Sequence, residues 1–211
     1  MTENLSKIGT DFLDKLADDI KQRIQTITSG EVCDCYWEFS RKLKELRSTS
    51  ANFTGLGELV IFRLILSYLE SSHNSKFAPQ DHTTELKSFK LQGENLVIGQ
   101  CLPIGRGKTA KRPDITILDD KENLLRAIEI KLYLPNSLSD LKLTIKRMTD
   151  WHEIHPKFKG LILLFSSPNK SKISDEIDAQ KINSDWLKIE ILSNNREKPF
   201  KEIASELCAG L

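Results

Sequence analysis

From Ile8 onward the apolar positions Phe12, Leu16, Ile20, Ile24 and Ile27 recur at helical spacing, and Ser29-Gly30 closes the pattern. A second stripe, Val32, Tyr36, Phe39, Leu43 and Leu46, runs up to the polar stretch Ser48, Thr49, Ser50 and Asn52. Together they predict a helical N-terminal extension over residues 1–52. A third helix is expected from about Gly55 to Leu69, capped by Thr54 and apolar nearly all round except at Arg63, Ser67 and Glu70. A helix without a broad polar face has to be covered on most sides, so it belongs in a core. Residues 71–92 are polar and weakly patterned and read as a long loop.

Beyond that loop the texture changes. Leu96 to Ile104, Ile115 to Leu118 and Leu124 to Leu134 are short runs rich in Ile, Leu and Val, bounded by Gly, Pro, Asp or Asn, and read as strands. Ser137-Leu138-Ser139-Asp140 has the form of a capping-box start, and Leu141, Ile145 and Met148 continue a helical stripe from Leu138. Gly160 to Phe165 is a continuous apolar strand suited to a sheet interior, and Trp186 to Leu192 is another, with a short helix near Ser174 to Ile182 between them. Pro199, at a first-turn position, opens a closing helix that ends before Gly210. Helices, three strands, a helix, a strand, a short helix, a strand and a last helix predict an α/β chain: a mixed β-sheet covered by helices, with residues 53–211 as its main domain.

At 211 residues, the chain is long enough to bury one substantial core. The formal net charge of +1 points to no partner, so any basic surface for nucleic acid has to be local. No stretch reaches the apolar length that crosses a bilayer, and Met1 to Ser6 are polar, so a cytoplasmic location is the expectation. Cys33, Cys35, Cys101 and Cys208 lack the paired spacing of a zinc ribbon and read as reduced packing residues. His73, His82, His152 and His155 form no HExxH pattern and read as surface or capping residues. There is no G-x-S-x-G nucleophile elbow, which leaves serine hydrolysis without support.

The candidate chemistry lies in Arg112-Pro113-Asp114-Ile115-Thr116-Ile117-Leu118, a polar turn, and Leu124 to Leu132 with Glu129-Ile130-Lys131 inside it. Strand side chains alternate faces, so Glu129 and Lys131 project together while Ile128, Ile130 and Leu132 project the other way. With Asp120, Lys121, Glu122 and Asn123 as a four-residue hairpin loop, Asp119 pairs with Leu124, and counting back sets Asp114 opposite Glu129. Opposed carboxylates repel unless a cation lies between them. Magnesium accepts one or two protein carboxylates and completes its shell with water and phosphate oxygens. On the third helix Glu58 shares a face with Ile61, Phe62, Ile65 and Leu69, an odd place for a carboxylate. The alternatives are a solvent-facing Glu129–Lys131 charge pair on an edge strand, and a Glu58 that merely favours the helix dipole.

Pro113-Asp114, a hairpin and Glu129-Ile130-Lys131 resemble the signature of the PD-(D/E)xK nuclease superfamily, which includes many type II restriction endonucleases. The resemblance extends to the order helix, three strands, helix, strand from about Gly55 to Phe165, roughly half of the chain. It implies a restriction-endonuclease-like fold and a magnesium-dependent endonuclease, with manganese able to substitute, that hydrolyses phosphodiester bonds in DNA. It makes Asp114, Glu129, Lys131 and Glu58 the catalytic set and places Asp114, Glu129, Ile130 and Glu58 at the metal. A homodimer is a further expectation of the resemblance. The helix after the motif lacks the glutamine and tyrosine of the RecB-like branch and carries Lys142, Lys146 and Arg147 instead, which argues against an exonuclease of that branch.

Arg106, Lys108, Lys111 and Arg112 stand in a loop beside this site and, with Lys142 and Lys146, are the expected nucleic-acid contacts. The bland reading of that loop is a solvated turn. Gly107-Lys108-Thr109 looks like the end of a P-loop, but Leu102 stands where the first glycine is needed and Pro113 prevents a following helix, so nucleotide triphosphate is not an expected ligand. The competing functions are a non-catalytic nucleic-acid-binding or assembly module of the same fold, and a nuclease directed at RNA.

Overall fold

The computed structural model describes residues 15, 18–19, 21–47, 54–79, 88–93, 96–100, 112–131, 139–165, 185–192 and 196–211. Four helices and seven strands are built from them: α1 (Ser29–Arg47), α2 (Thr54–His73), β1 (Phe77–Pro79), β2 (Ser88–Leu91), β3 (Leu96–Gln100), β4 (Ile115–Asp119), β5 (Leu124–Lys131), α3 (Ser139–Ile154), β6 (Lys159–Leu164), β7 (Leu187–Ile191) and α4 (Phe200–Cys208). The short helix expected near Ser174 to Ile182, residues 101–104 and residues 132–138 lie outside the described residues.

The strands form one mixed sheet in sequential order. β1 to β5 pair antiparallel, whereas β5–β6 and β6–β7 are parallel. Parallel neighbours need a crossover, and α3 supplies it between β5 and β6. Side-chain alternation then divides the core in two. Ile115, Ile117, Ile128, Ile130, Leu161 and Leu163 face the layer of α1, α2 and α4. Ala127, Ile162, Leu164, Leu187 and Ile189 face α3, through its Leu141, Met148 and Trp151. β6 is buried on both faces, which explains why Gly160 to Phe165 carries an unbroken apolar run.

α2 matches the expected core helix: Val60, Ile61, Phe62, Leu64, Ile65, Leu66 and Leu69 are buried, and Arg63 is exposed. Three expectations are corrected. Residues 71–92 are not all loop, since they contain β1 and β2; strands of 3 and 4 residues are too short for alternation to show against polar neighbours. Ser29-Gly30 opens a helix instead of closing one. Thr28 and Glu31 form a reciprocal capping box, with Glu31 N–H donating to Thr28 Oγ1 at 3.3 Å and Thr28 N–H donating to Glu31 Oε2 at 2.8 Å. Gly30 is needed there because a Cβ would lie 2.9 Å from the Arg196 backbone oxygen, which accepts the Gly30 N–H. Finally, Pro199 is the N-cap of α4, one position before its first turn.

The cysteines Cys33, Cys35 and Cys208 are free thiols, with Cys33 and Cys208 buried among apolar side chains. His152 stacks on Trp186 with ring centroids 4.3 Å apart, a packing role consistent with the absence of a ligand pattern around it. Among the described residues, no helix is long and apolar enough to cross a membrane.

Candidate active site

The register at the far end of the β4–β5 hairpin brings Asp114 and Glu129 together. Ile115 pairs with Ile128, Thr116 with Ala127 and Ile117 with Arg126, so the next position along places Asp114 across from Glu129. The route to that register differs from the sequence count. Asp119 N–H donates to Asn123 O at 3.1 Å, which makes Asp120, Lys121 and Glu122 a three-residue loop, with Glu122 in the left-handed region at φ 62°. Leu118 pairs with Leu124 and Ile117 with Arg126, leaving Leu125 as a bulge. A loop one residue shorter and a bulge of one residue cancel, so the partner of Asp114 is unchanged. Asp119 rigidifies the turn by accepting from the Lys121 and Asn123 amides at 2.9 and 2.8 Å.

Asp114 sits at the bend just before β4 and is anchored by the backbone: Ile130 N–H donates to its Oδ2 at 2.6 Å. Lys131 O accepts from Phe165 N–H on the β6 side, so by strand alternation the Ile130 peptide groups face β4 and Asp114. Glu129 is 3% exposed, on the α3 face of the sheet. Its Oε2 accepts from Lys131 Nζ at 3.4 Å and from Arg147 Nη2 of α3 at 3.3 Å. Its Oε1 is buried with no hydrogen-bond partner among the described residues. Both cations therefore crowd one oxygen while the other stays bare, and leaving a buried acceptor unpaired costs about 1–3 kcal/mol.

The electrostatics reflect this crowding. Burial raises the Glu129 pKa above its ordinary value and the Asp114 charge adds to the rise, against Lys131 and Arg147. Burial likewise raises Asp114, against the Ile130 amide and the charges of Lys131 and Arg147. Glu58, half-buried on the first turns of α2, is raised by burial first and then by the charges of Asp114 and Glu129. Three carboxylates thus sense one another across the junction of α2, β4 and β5, with two cations to offset them. No group of three or more His, Cys, Asp or Glu side chains spaced to hold a metal ion occurs among the described residues. The protein donors on offer are thus the Asp114–Glu129 pair, with Glu58 within reach of both charges.

Of the expected nucleic-acid contacts, Arg106, Lys108 and Lys111 lie outside the described residues. Arg112 is exposed beside the buried Pro113, and Lys142 and Lys146 are exposed on α3, where Lys146 pairs with Asp150 at 3.0 Å. Three site neighbours were not singled out from sequence. Arg147 reaches Glu129 from α3, Thr144 holds Arg147 by accepting from its Nη2 at 3.1 Å, and Thr116 keeps a buried hydroxyl without a partner among the described residues. A readable signal for Arg147 existed: it borders the buried stripe Leu141, Thr144, Met148 and Trp151, where a cation has to find an acceptor.

These pKa directions carry a stability prediction. Carboxyls whose folded pKa values are raised bind more protons in the native state than in the unfolded one. Their stabilising contribution is present below the unfolded values near ~4 and is lost as pH rises through the raised folded values. In EDTA at neutral pH, Glu129→Gln should therefore melt at a higher temperature than the parent chain, and the gain should vanish as pH is lowered toward ~4. A variant that melts lower than the parent in EDTA would show that the carboxylate is satisfied as it stands.

Comparison with protein-family models, with curated proteins and with solved structures finds no match to this chain.

Proposed function

We propose that this chain is a magnesium-dependent endonuclease with a restriction-endonuclease-like fold of the PD-(D/E)xK type, acting on DNA. One observation carries the reading: the buried Oε1 of Glu129, which has no hydrogen-bond partner among the described residues, on the strand next to Asp114. The donor chemistry fits magnesium, which takes one or two carboxylates and keeps waters and substrate oxygens for the rest of its shell; a cation requiring a closed cage of protein ligands would not be served. Asp114 and Glu129 would hold the ion, with the Ile130 carbonyl, which faces the same side of β5, as an additional donor. When bound, the ion supplies Lewis acidity toward a phosphoryl oxygen and a water of lowered pKa.

The chain's own groups divide the remaining work. Asp114 is held in place by the Ile130 amide, so one carboxylate is oriented before any ligand arrives. Lys131, 28% exposed at the end of β5, keeps its ammonium beside Glu129 and open to solvent, where it can orient the attacking water or offset charge growing on the phosphoryl oxygens. Arg112, Lys142 and Lys146 remain exposed to meet flanking phosphates, and DNA strands would be positioned by such contacts without being read by sequence. Incubating plasmid DNA with the chain and magnesium, manganese or EDTA, followed by end mapping, tests the reading. Metal-dependent cutting with defined ends is expected; binding without cutting under every metal condition would favour a non-catalytic nucleic-acid-binding module, and cutting confined to RNA would move the substrate class.

Glu58 supplies a graded test of the same site. Its carboxylate makes no hydrogen bond or ion pair with another described residue and feels both Asp114 and Glu129. Glu58→Gln should slow cleavage, because a negative charge that strengthens cation binding is removed, and should leave the melting temperature at or above the parent value because a half-buried charge is lost. Full activity in Glu58→Gln would take this residue out of the site and leave the other three in it.

A further inference from the structure

Arg147 is bound in a way that a purely structural arginine is not. Among the described residues its Nη2 is the nitrogen that meets protein acceptors, Glu129 Oε2 at 3.3 Å and Thr144 Oγ1 at 3.1 Å, while its buried Nε meets none. The 3.3 Å contact is long for a charge-assisted hydrogen bond, and Lys131 competes for the same oxygen at 3.4 Å. Thr144 is fully used, since its hydroxyl donates to Asp140 O at 2.8 Å and so presents its lone pair to Arg147. The side chain is 36% exposed, so the guanidinium borders solvent at the sheet face where Glu129 stands. An arginine fork suits two oxygens of one phosphate, and here much of the fork is without an acceptor.

We propose that Arg147 is a displaceable counter-ion: it neutralises Glu129 while the site is empty of metal, yields that carboxylate to the incoming divalent cation, and then takes the two non-bridging oxygens of the phosphodiester. Thr144, 3.1 Å from Nη2, keeps one Nη2 N–H as a tether while the other turns from Glu129 to the phosphate. Arg147 thereby opposes metal binding and favours substrate binding, two effects of opposite sign from one residue. The inference rests on the nuclease reading above and adds to it a residue outside the motif. A guanidinium that only oriented Glu129 would favour both.

The test measures Mn2+ affinity by calorimetry without DNA, and separately duplex DNA affinity and turnover, for the full chain and for Arg147→Met and Arg147→Lys. Arg147→Met should bind Mn2+ more tightly than the parent, while its DNA affinity falls and its turnover drops by about 10²-fold, the scale set by losing one preorganised donor to the reacting phosphate. Arg147→Lys retains a charge and should keep near-parental Mn2+ affinity, yet fail to restore turnover because an ammonium cannot engage two oxygens. If Arg147→Met instead loses Mn2+ affinity, by the roughly 10- to 100-fold typical of groups that orient a metal ligand, Arg147 is a positioning residue and the proposal is overturned. Unchanged DNA affinity and turnover in both variants overturns it as well. Should Arg147→Met not fold, Arg147→Lys alone decides, since parental turnover in that variant removes the need for a fork. A parent chain that binds no Mn2+ and cuts nothing overturns the underlying nuclease reading, which is a different outcome from a parent that does both and a variant that fails to behave as stated.

Discussion

Asp114→Asn and Glu129→Ala are each expected to reduce DNA cleavage to background and to abolish Mn2+ binding, whereas Lys131→Ala should lose about 10²- to 10³-fold in turnover with Mn2+ binding largely retained. The division follows from where each group sits. Asp114, at the bend before β4, lies across from Glu129 on β5, and Glu129 Oε1 has no partner among the described residues. Removing either takes away half of the acidic pair that would hold the cation. Lys131 contacts the already crowded Oε2 at 3.4 Å, so its removal leaves the bare oxygen untouched. Turnover should suffer because the ammonium would no longer meet the anionic transition state. DNA binding measured without metal is expected to survive in Lys131→Ala, as the exposed basic residues of α3 and Arg112 are unaltered. Three variants that cut as fast as the parent under the same conditions would sink the assignment.

The second large effect concerns stability and lies on the opposite face of β5. Arg126 is 4% exposed, and among the described residues no carboxylate pairs with it. Its Nη1 donates to Leu125 O at 2.8 Å, its Nη2 to Ala209 O at 2.8 Å, and its Nε to Leu207 O. The last two carbonyls belong to the C-terminal end of α4, where helix carbonyls lack intrahelical donors and the dipole is negative. The arginine thus satisfies a helix terminus and ties α4 to the sheet directly beneath the strand that carries Glu129. Arg126→Met, similar in length and without donors, should cost roughly 3 kcal/mol, since buried carbonyls left unpaired cost about 1–3 kcal/mol each. That corresponds to a fall in melting temperature of about 10 °C for a chain of this size. Urea denaturation of the parent and variant reads it directly, and a loss under about 0.5 kcal/mol would mean that water or backbone movement satisfies the carbonyls instead.

The bulge at Leu125 is what allows both faces of β5 to carry these jobs. Leu125 and Arg126 fall on the α4 side, and alternation resumes so that Ile128 and Ile130 stay with them while Glu129 and Lys131 turn to α3. Without the inserted residue, a three-residue loop would shift the register by one position and set Ile128 across from Asp114. The hairpin count from sequence reached the right pairing through a loop one residue too long and no bulge, two errors of equal size and opposite direction.

Much of this was legible before any coordinates, because local pattern governs it. The all-round apolar α2, the double-sided apolar β6 and the alternation that puts Glu129 beside Lys131 each depend on residues close together in the chain and on the fixed periods of helix and strand. The helical period also marked Glu58 as a carboxylate on an apolar face, whereas the Asp114–Glu129 pairing came from a hairpin count whose two errors cancelled. What the tertiary structure alone decided depends on residues far apart in sequence. The use of Thr28-Ser29-Gly30-Glu31 as a helix start is settled by the Arg196–Lys198 segment bonding to it. Arg126 finds its acceptors in Leu207 and Ala209, more than 80 residues away. Arg147 meets Glu129 because the α3 crossover lays a helix over β5. Periodicity says which face a side chain takes; only packing says what stands opposite it, since a buried charge is tolerated only where the fold delivers its partner.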